Sequence, residues 1–394
     1  MTVRVLHILE AIEGGTARHL TDLVRHLDGV EHYVAVPERR VGGATDAAAL
    51  EALQRSSSVA FVRLQRSASS PENALATVEV TNLVRRVRPS VVHGHSSIGG
   101  VAARLAGRIM GTPSVYTPNG IRPTRGALMV ERALGPLTGR FIAVSESEAA
   151  MALQCKLVAP ARIRVIPNGI DLTPPQPKDL RARLAVPPET PLVRSIARLL
   201  PQKRPLTFVS TAARIAESRP DVHFVLVGSG EMEGEVKAAI DAEPSLLRRF
   251  HLVPSLPEAS AYLPSLDVFL LLSGFEGAPY TPLEAMRAGV PVVVTDVIGS
   301  RDAVETGRSG VVVPVGDAAT ASRETLTLLA DARRRGQLVE RATARLRDLF
   351  DVRLMAQRTG QVYEELRGAR RRCPACAARS TTRSANRAPI SSQE

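Results

Sequence analysis

Short apolar runs rich in Val and Ile alternate with longer stretches of helical period along almost the whole of this 394-residue chain, and few folds satisfy that alternation. A parallel strand buried on both faces reads as a continuous apolar run, and reaching the next one demands a crossover, usually a helix. The pattern therefore predicts repeated βα units around parallel sheets. In the first half the predicted strands are 3–8, 33–36, 58–62, 91–93, 114–117, 141–144 and 163–166, with helices such as 17–27, 74–87 and 100–110 between them. Ser145-Glu-Ser-Glu148 has a Ser three residues before a Glu, the spacing of a capping box that opens the next helix.

The alternation breaks at Leu172-Thr-Pro-Pro-Gln-Pro-Lys178, a proline-dense span with no apolar period that reads as an extended linker. It then restarts, with predicted strands at 192–197, 223–227, 250–253, 268–272, 290–295 and 311–313. A chain this long exceeds one ordinary core, so two α/β domains are expected, 1–172 and 173–350. A C-terminal helix over 351–367, free to pack back on the first domain, precedes a Ser/Thr/Arg-rich tail, 368–394, read as disordered.

The formal charge of +12 is unevenly spread: residues 1–170 carry 20 Lys and Arg against 13 Asp and Glu, and 368–394 carry six Arg against one Glu. With 3% aromatic residues, no Trp and no recognised binding motif, nucleic acid is not expected as a partner. The basic first half does permit peripheral contact with an anionic membrane. No apolar run reaches the roughly 18 residues of a membrane-spanning helix, and the chain enters a strand pattern at Val3, leaving no room for a signal peptide. A cytoplasmic location follows, peripheral at the inner membrane face if the basic half is used. Cys373 and Cys376 form a CxxC without the second ligand pair that zinc requires, and Cys155 stands alone.

In open parallel sheets ligands bind beyond the carboxyl ends of strands, so function is sought in those loops. Gly14 and Gly15, after the first strand, permit either close approach to an anionic ligand at a helix start or simply a tight turn. They do not make the GxGxxG of a dinucleotide-binding oxidoreductase. His93, His95 and Asn119 lie at the ends of the fourth and fifth strands and suit either sugar hydroxyls or a structural role; no third ligand has the spacing for a metal. In the second half, Arg198 and Lys203 place two cations at a strand end, where a diphosphate would be neutralised. Only four residues are Lys (156, 178, 203, 237), so a Lys at 203 is not the default base of this chain. Gly228 closes the following strand with space for a flat base or ribose.

The densest segment runs from Ser273 to Val292. Thr281 suits the N-cap of a helix, Pro282 its first position and Gly289 its stop, which makes Thr281-Pro-Leu-Glu284 a capping box. The same helix start is an anion site. Glu276, in the loop before it, has no such local explanation.

At these residues the chain resembles the retaining glycosyltransferase family 4, of the two-domain GT-B fold, from Val3 to about Leu366. Glu276-x7-Glu284 followed by Ala288-Gly-Val-Pro-Val292 carries the resemblance, with the Arg198…Lys203 loop and Val165-Ile-Pro-Asn168-Gly-Ile-Asp171. It implies an α/β fold of two Rossmann-like domains facing a cleft, the first on the acceptor side and the second holding a nucleotide-sugar donor. Arg198 and Lys203 would neutralise the donor diphosphate, Glu276 would meet the donor sugar, and Glu284 would hold the ribose hydroxyls. Backbone around Ala278, Pro279, Tyr280, Thr281, Pro282 and Leu283 would hold sugar and phosphate, and Gly14 and Gly15 would approach from the other domain. Acceptors would be sugars, lipid-linked sugars or small molecules. The resemblance also implies no cofactor and no metal, and the sequence has no Asp-x-Asp. Relatives commonly carry His where this chain has Asn119; an amide cannot take a proton near neutral pH, which leaves His95 as the substitute candidate on the acceptor side. The rival readings are an epimerase or hydrolase on the same scaffold and a non-catalytic sugar-nucleotide-binding protein.

Overall fold

The computed structural model describes residues 2–372, apart from 39–44, 66, 68, 69, 122, 255 and 257, with side chains described no further than Gly368. The tail beyond 372, with Cys373 and Cys376, lies outside the described residues.

Among the described residues thirteen strands form two fully parallel sheets. The first contains β1 (Val3–Leu9), β2 (Val30–Val36), β3 (Ser58–Phe61), β4 (Val91–His95), β5 (Ser114–Thr117), β6 (Arg140–Ala143) and β7 (Ile163–Val165), in the order β3-β2-β1-β4-β5-β6-β7. The second contains β8 (Leu192–Ile196), β9 (His223–Val227), β10 (Phe250–Val253), β11 (Val268–Leu271), β12 (Val292–Thr295) and β13 (Val311–Val313), ordered β10-β9-β8-β11-β12-β13. Every strand read from the sequence is present. In each sheet the order reverses beside the first strand, between β1 and β4 and between β8 and β11. Adjacent loops there part to opposite faces and open a crevice at the carboxyl ends.

In the N-terminal lobe the helices are α1 (Gly14–His26), α2 (Ala47–Ser56), α3 (Glu72–Val87), α4 (Ser96–Met110), α5 (Arg125–Leu134) and α6 (Glu146–Gln154). The C-terminal lobe carries α7 (Leu180–Leu184), α8 (Pro205–Ser218), α9 (Glu233–Asp241), α10 (Tyr280–Arg287), α11 (Ser300–Ala303), α12 (Ala318–Ala330) and α13 (Ala332–Leu349). Among these helices no span is long and apolar enough to cross a membrane.

The last helix, α14 (Val352–Arg372), belongs spatially to the first lobe. Its Val352, Met355, Val362 and Tyr363 share one buried cluster with Val3, Val5 and Leu23. Two chain crossings run side by side at the lobe boundary, where Ile170 N–H donates to Phe350 O at 2.8 Å and Val352 N–H to Ile170 O at 3.0 Å. The helix continues to Arg372, past the expected end at 367.

Two expected capping boxes are not formed. Ser145 caps α6 through a 3.1 Å bond from Glu148 N–H, but the Glu148 carboxylate does not return to the cap; it accepts from Gly120 N–H at 2.7 Å and Val144 N–H at 2.8 Å. Helix α10 begins at Tyr280 with Pro279 as its N-cap, so Thr281 is not the cap and Pro282 is not the first position. The fixed φ of Pro279 allows the helix to start two residues sooner without a capping side chain. Glu284 is thereby freed from the expected box and reaches the other lobe.

Candidate functional site

Three cation–carboxylate pairs stand between the lobes. Lys203, in a single turn after β8, has its Nζ 2.5 Å from Glu276 Oε1, with both side chains largely buried. Arg198 Nη1 lies 3.6 Å from Glu13 Oε1, on the loop between β1 and α1. Arg18, on the second turn of α1, donates from Nη1 to Glu284 Oε1 at 2.6 Å and lies 4.5 Å above the Tyr280 ring. Two of the three pairs bridge the lobes. Glu276 and Glu284 each hold a base close to the start of α10, whose first turn leaves N–H groups free; the Arg198 pair is looser, with the Arg198 side chain 56% exposed. Since Pro279 and Pro282 have no N–H, the free donors of that turn come from Tyr280 and Thr281.

Backbone packing aims the two loops. Gly228 has φ +150°, and a Cβ there would lie 1.9 Å from Ala197 O. Only a glycine lets the β9 end press against the backbone that carries Arg198. Across the cleft, a Cβ on Gly277 would lie 2.7 Å from Asn119 O, so the lobes touch main chain to main chain. Gly15 approaches the Tyr280 ring from the other side. Further interlobe bonds run from Ser147 N–H to Asp302 at 3.0 Å and from Asn168 Nδ2 to Ala278 O at 3.4 Å.

Two cavities flank this seam. One, of 320 Å³, is lined by Glu13, Gly14, Gly15, Thr16, Ser96 and Arg198. The other, of 310 Å³, is lined by Asn168, Ala278, Pro279, Leu283, Arg301 and Arg358, among others. Of the residues chosen from sequence, Gly14, Gly15 and Arg198 line the first cavity and Ala278, Pro279 and Leu283 the second, while Lys203 with Glu276 and Arg18 with Glu284 stand in the pairs described above. Asn119 stands at the seam too: its backbone is left-handed at φ 55°, and both its amide atoms are buried without a partner among the described residues.

His95 does not. It is fully buried beneath the cleft, in a cluster with His7, His19, His32 and His93. The reason is strand parity. His93 pairs in register with His7, and His95, two residues on, points to the same covered face, under α1 and α14. The bonds fix the tautomers. Leu27 O only accepts, so His32 Nε2 donates to it (3.2 Å); His32 Nδ1 then accepts from His7 Nε2 (3.0 Å), and His7 Nδ1 from His95 Nε2 (3.1 Å). His95 Nδ1 is left as a buried lone pair.

Nitrogens of His7, His93 and His95 all lie within 4.8 Å of one another, a grouping the sequence spacing did not reveal. As a metal site it fits poorly. Both His93 nitrogens are bonded, to Tyr363 Oη at 2.6 Å and Thr117 Oγ1 at 2.8 Å, and its ring lies only 3.9 Å from that of His95, too nearly stacked for shared in-plane ligation. Burial holds all three imidazoles well below their usual titration range, and brings His19 down to about 4.

Sequence reasoning missed Arg18. Its only signal was position: the fourth residue after Gly14 in a helix that starts at the cleft.

A model of "Glycosyltransferase Family 4" matches residues 13–174, and one of "Glycosyl transferases group 1" matches 177–345. The Escherichia coli UDP-Gal:alpha-D-GlcNAc-diphosphoundecaprenol alpha-1,3-galactosyltransferase is 29% identical over 270 residues, 64% of this chain and 70% of that protein. The alpha-maltose-1-phosphate synthase of Mycolicibacterium smegmatis is 27% identical over 331 residues, 77% of this chain and 81% of its own. In fold, the structure of Anabaena HepE in complex with UDP and glucose superposes with a TM-score of 0.79 at 21% identity, covering 92% of this chain and all of that one (100%).

Proposed function

The chain belongs to the retaining glycosyltransferase family 4, the group 1 glycosyl transferases of GT-B fold, and from that premise we propose how it works. It transfers a hexosyl unit from a nucleoside-diphosphate sugar to an acceptor hydroxyl with retention of anomeric configuration, in the synthesis of a cell-surface polysaccharide or glycoconjugate. The observation that carries the residue roles is the convergence of Arg198, Lys203 and the α10 start on one seam between the lobes.

In this reading the departing diphosphate is met by the two cations and by the N–H groups of the α10 first turn. These donors are in place before charge develops, so little reorganisation is needed when the sugar–phosphate bond breaks. Lys203 can serve Glu276 and phosphate together, because its ammonium has three N–H donors. Glu276 faces the donor sugar and Glu284 the ribose hydroxyls. The departing phosphate oxygen takes the acceptor's proton, so no side-chain base is required, and Asn119 hydrogen-bonds sugar or acceptor. No metal has a part in this scheme, the cations supplying the positive charge.

A thermal-shift panel of UDP-, GDP-, ADP- and TDP-sugars tests it. The matching donor at 100 times its dissociation constant is expected to stabilise the fold by about 2.7 kcal/mol. Mass analysis should then find the donor intact until acceptor is added; donor consumed or isomerised alone would establish a hydrolase or epimerase instead.

The acceptor is placed at a membrane in this reading, as a lipid-linked sugar. In support, α5 exposes Met129 and Val130 at 67% and 48% between Arg125 and Arg132, an apolar strip with basic flanks suited to an anionic interface. Flotation with phosphatidylglycerol vesicles should capture the protein, and Met129→Ser with Val130→Ser should release it. Equal recovery of both with neutral vesicles would remove the membrane from the scheme.

A further inference from the structure

Arg18 lies outside every motif that marked the site, yet it makes the shortest bridge between the lobes. Its side chain is only one-third exposed, and Glu284 less so. Three contacts hold the guanidinium: Glu284 on one side, the Tyr280 face below, and Asp22 one turn further along α1 at 3.4 Å. Glu284 in turn lies within the field of Arg18, Arg194 and Arg287, with Asp22, Tyr280 and Asp171 as the nearby acidic groups. Arg194 and Arg287 leave guanidinium nitrogens unbonded and make no bond to this carboxylate among the described residues. Orientation therefore falls to Arg18. It occupies Oε1 by a single bond, and a carboxylate offers about four acceptor sites, so Oε2 and the remaining lone pairs stay open.

We propose that Arg18 is a positioning residue for donor binding: it reaches across the cleft, fixes the Glu284 carboxylate for the ribose hydroxyls, and ties that grip to closure of the lobes. The proposal rests on the reading of Glu284 given above. The bridge and the ribose are partners on one carboxylate, so loss of Arg18 loosens the nucleotide. Were they rivals, its loss would tighten it.

The test uses the donor sugar with the largest thermal shift in the panel and the nucleoside diphosphate it carries, beside the 2′,3′-dideoxy counterpart of that nucleoside diphosphate. Arg18→Ala is expected to raise the donor KM about tenfold, the scale of one hydrogen bond to a charged group, while kcat changes far less. Arg18→Lys should recover part of the loss. In a Glu284→Gln background Arg18→Ala should add nothing, and with the dideoxy ligand its cost should vanish. An unchanged or lowered KM overturns the proposal; so does a cost that persists with the dideoxy ligand, which would make Arg18 a direct ligand or a structural residue. If Arg18→Ala does not fold, Arg18→Gln, which keeps an N–H donor and loses the charge, is expected to bind more weakly than Arg18→Lys, itself weaker than wild type; equal binding by all three overturns it as well. Failure of every nucleoside diphosphate to stabilise the wild-type protein would instead remove the underlying function.

Discussion

Replacing Lys203 with alanine is expected to lower kcat about 100-fold or more, the usual consequence of deleting one preorganised charge that meets a developing anion. Two separate losses follow from its geometry. The ammonium that would face the leaving diphosphate is gone, and Glu276, 5% exposed and 2.5 Å away, is left without its cation. The second loss costs stability too, roughly 3 kcal/mol on the scale of broken buried pairs. Lys203→Ala with Glu276→Gln separates them: the double variant should regain stability and stay inactive. Turnover should also persist in EDTA, since no metal has a part in the scheme. Lys203→Ala within about threefold of wild type would end the assignment.

The second large effect is on stability in acid. Burial holds His7, His93 and His95 well below 6.5, lowers His32, and brings His19 to about 4. In the unfolded chain each would titrate near 6.5. Below that pH the unfolded state binds protons that the native state refuses, so stability falls as pH drops from about 6.5 toward 4. At about pH 5 each refused proton costs roughly 2 kcal/mol. Glu148 acts in the opposite sense. Burial raises it to about 7, above the 4.5 of a free carboxyl, so its protonated form stabilises the fold as pH falls from about 7 to 4.5. One carboxyl offsets little more than one histidine. Against a typical total of roughly 5–15 kcal/mol, the cluster should unfold the protein near pH 5. Urea titrations from pH 8 to 5 check this; equal midpoints across that range would mean that the imidazoles are not buried and neutral.

The strands and the cleft were legible because each depends on local pattern. Runs such as 268–272, short and set between helical stretches, read as buried strands, and the loops that follow parallel strands share one edge. What the sequence hid depends on register or on distance along the chain. His95 looked like a cleft residue because it ends a strand, but its parity with His93 turns it under α1. The grouping with His7 needs the β1–β4 alignment, which no spacing encodes. Glu284 had a plausible neighbour in Thr281, and only the early start at Pro279 and a partner 266 residues away in sequence show that it serves the other lobe.

The placement of α14 has a consequence for synthesis. A ribosome releases the first sheet before the second lobe, but the wall that covers one of its faces comes only after that whole lobe, with Val352, Met355 and Tyr363. The second lobe is contiguous and can close as soon as residue 350 emerges. The lobe translated earlier is therefore completed later than its neighbour, and nascent chains arrested just short of α14 should carry one folded lobe and one open, chaperone-accessible sheet.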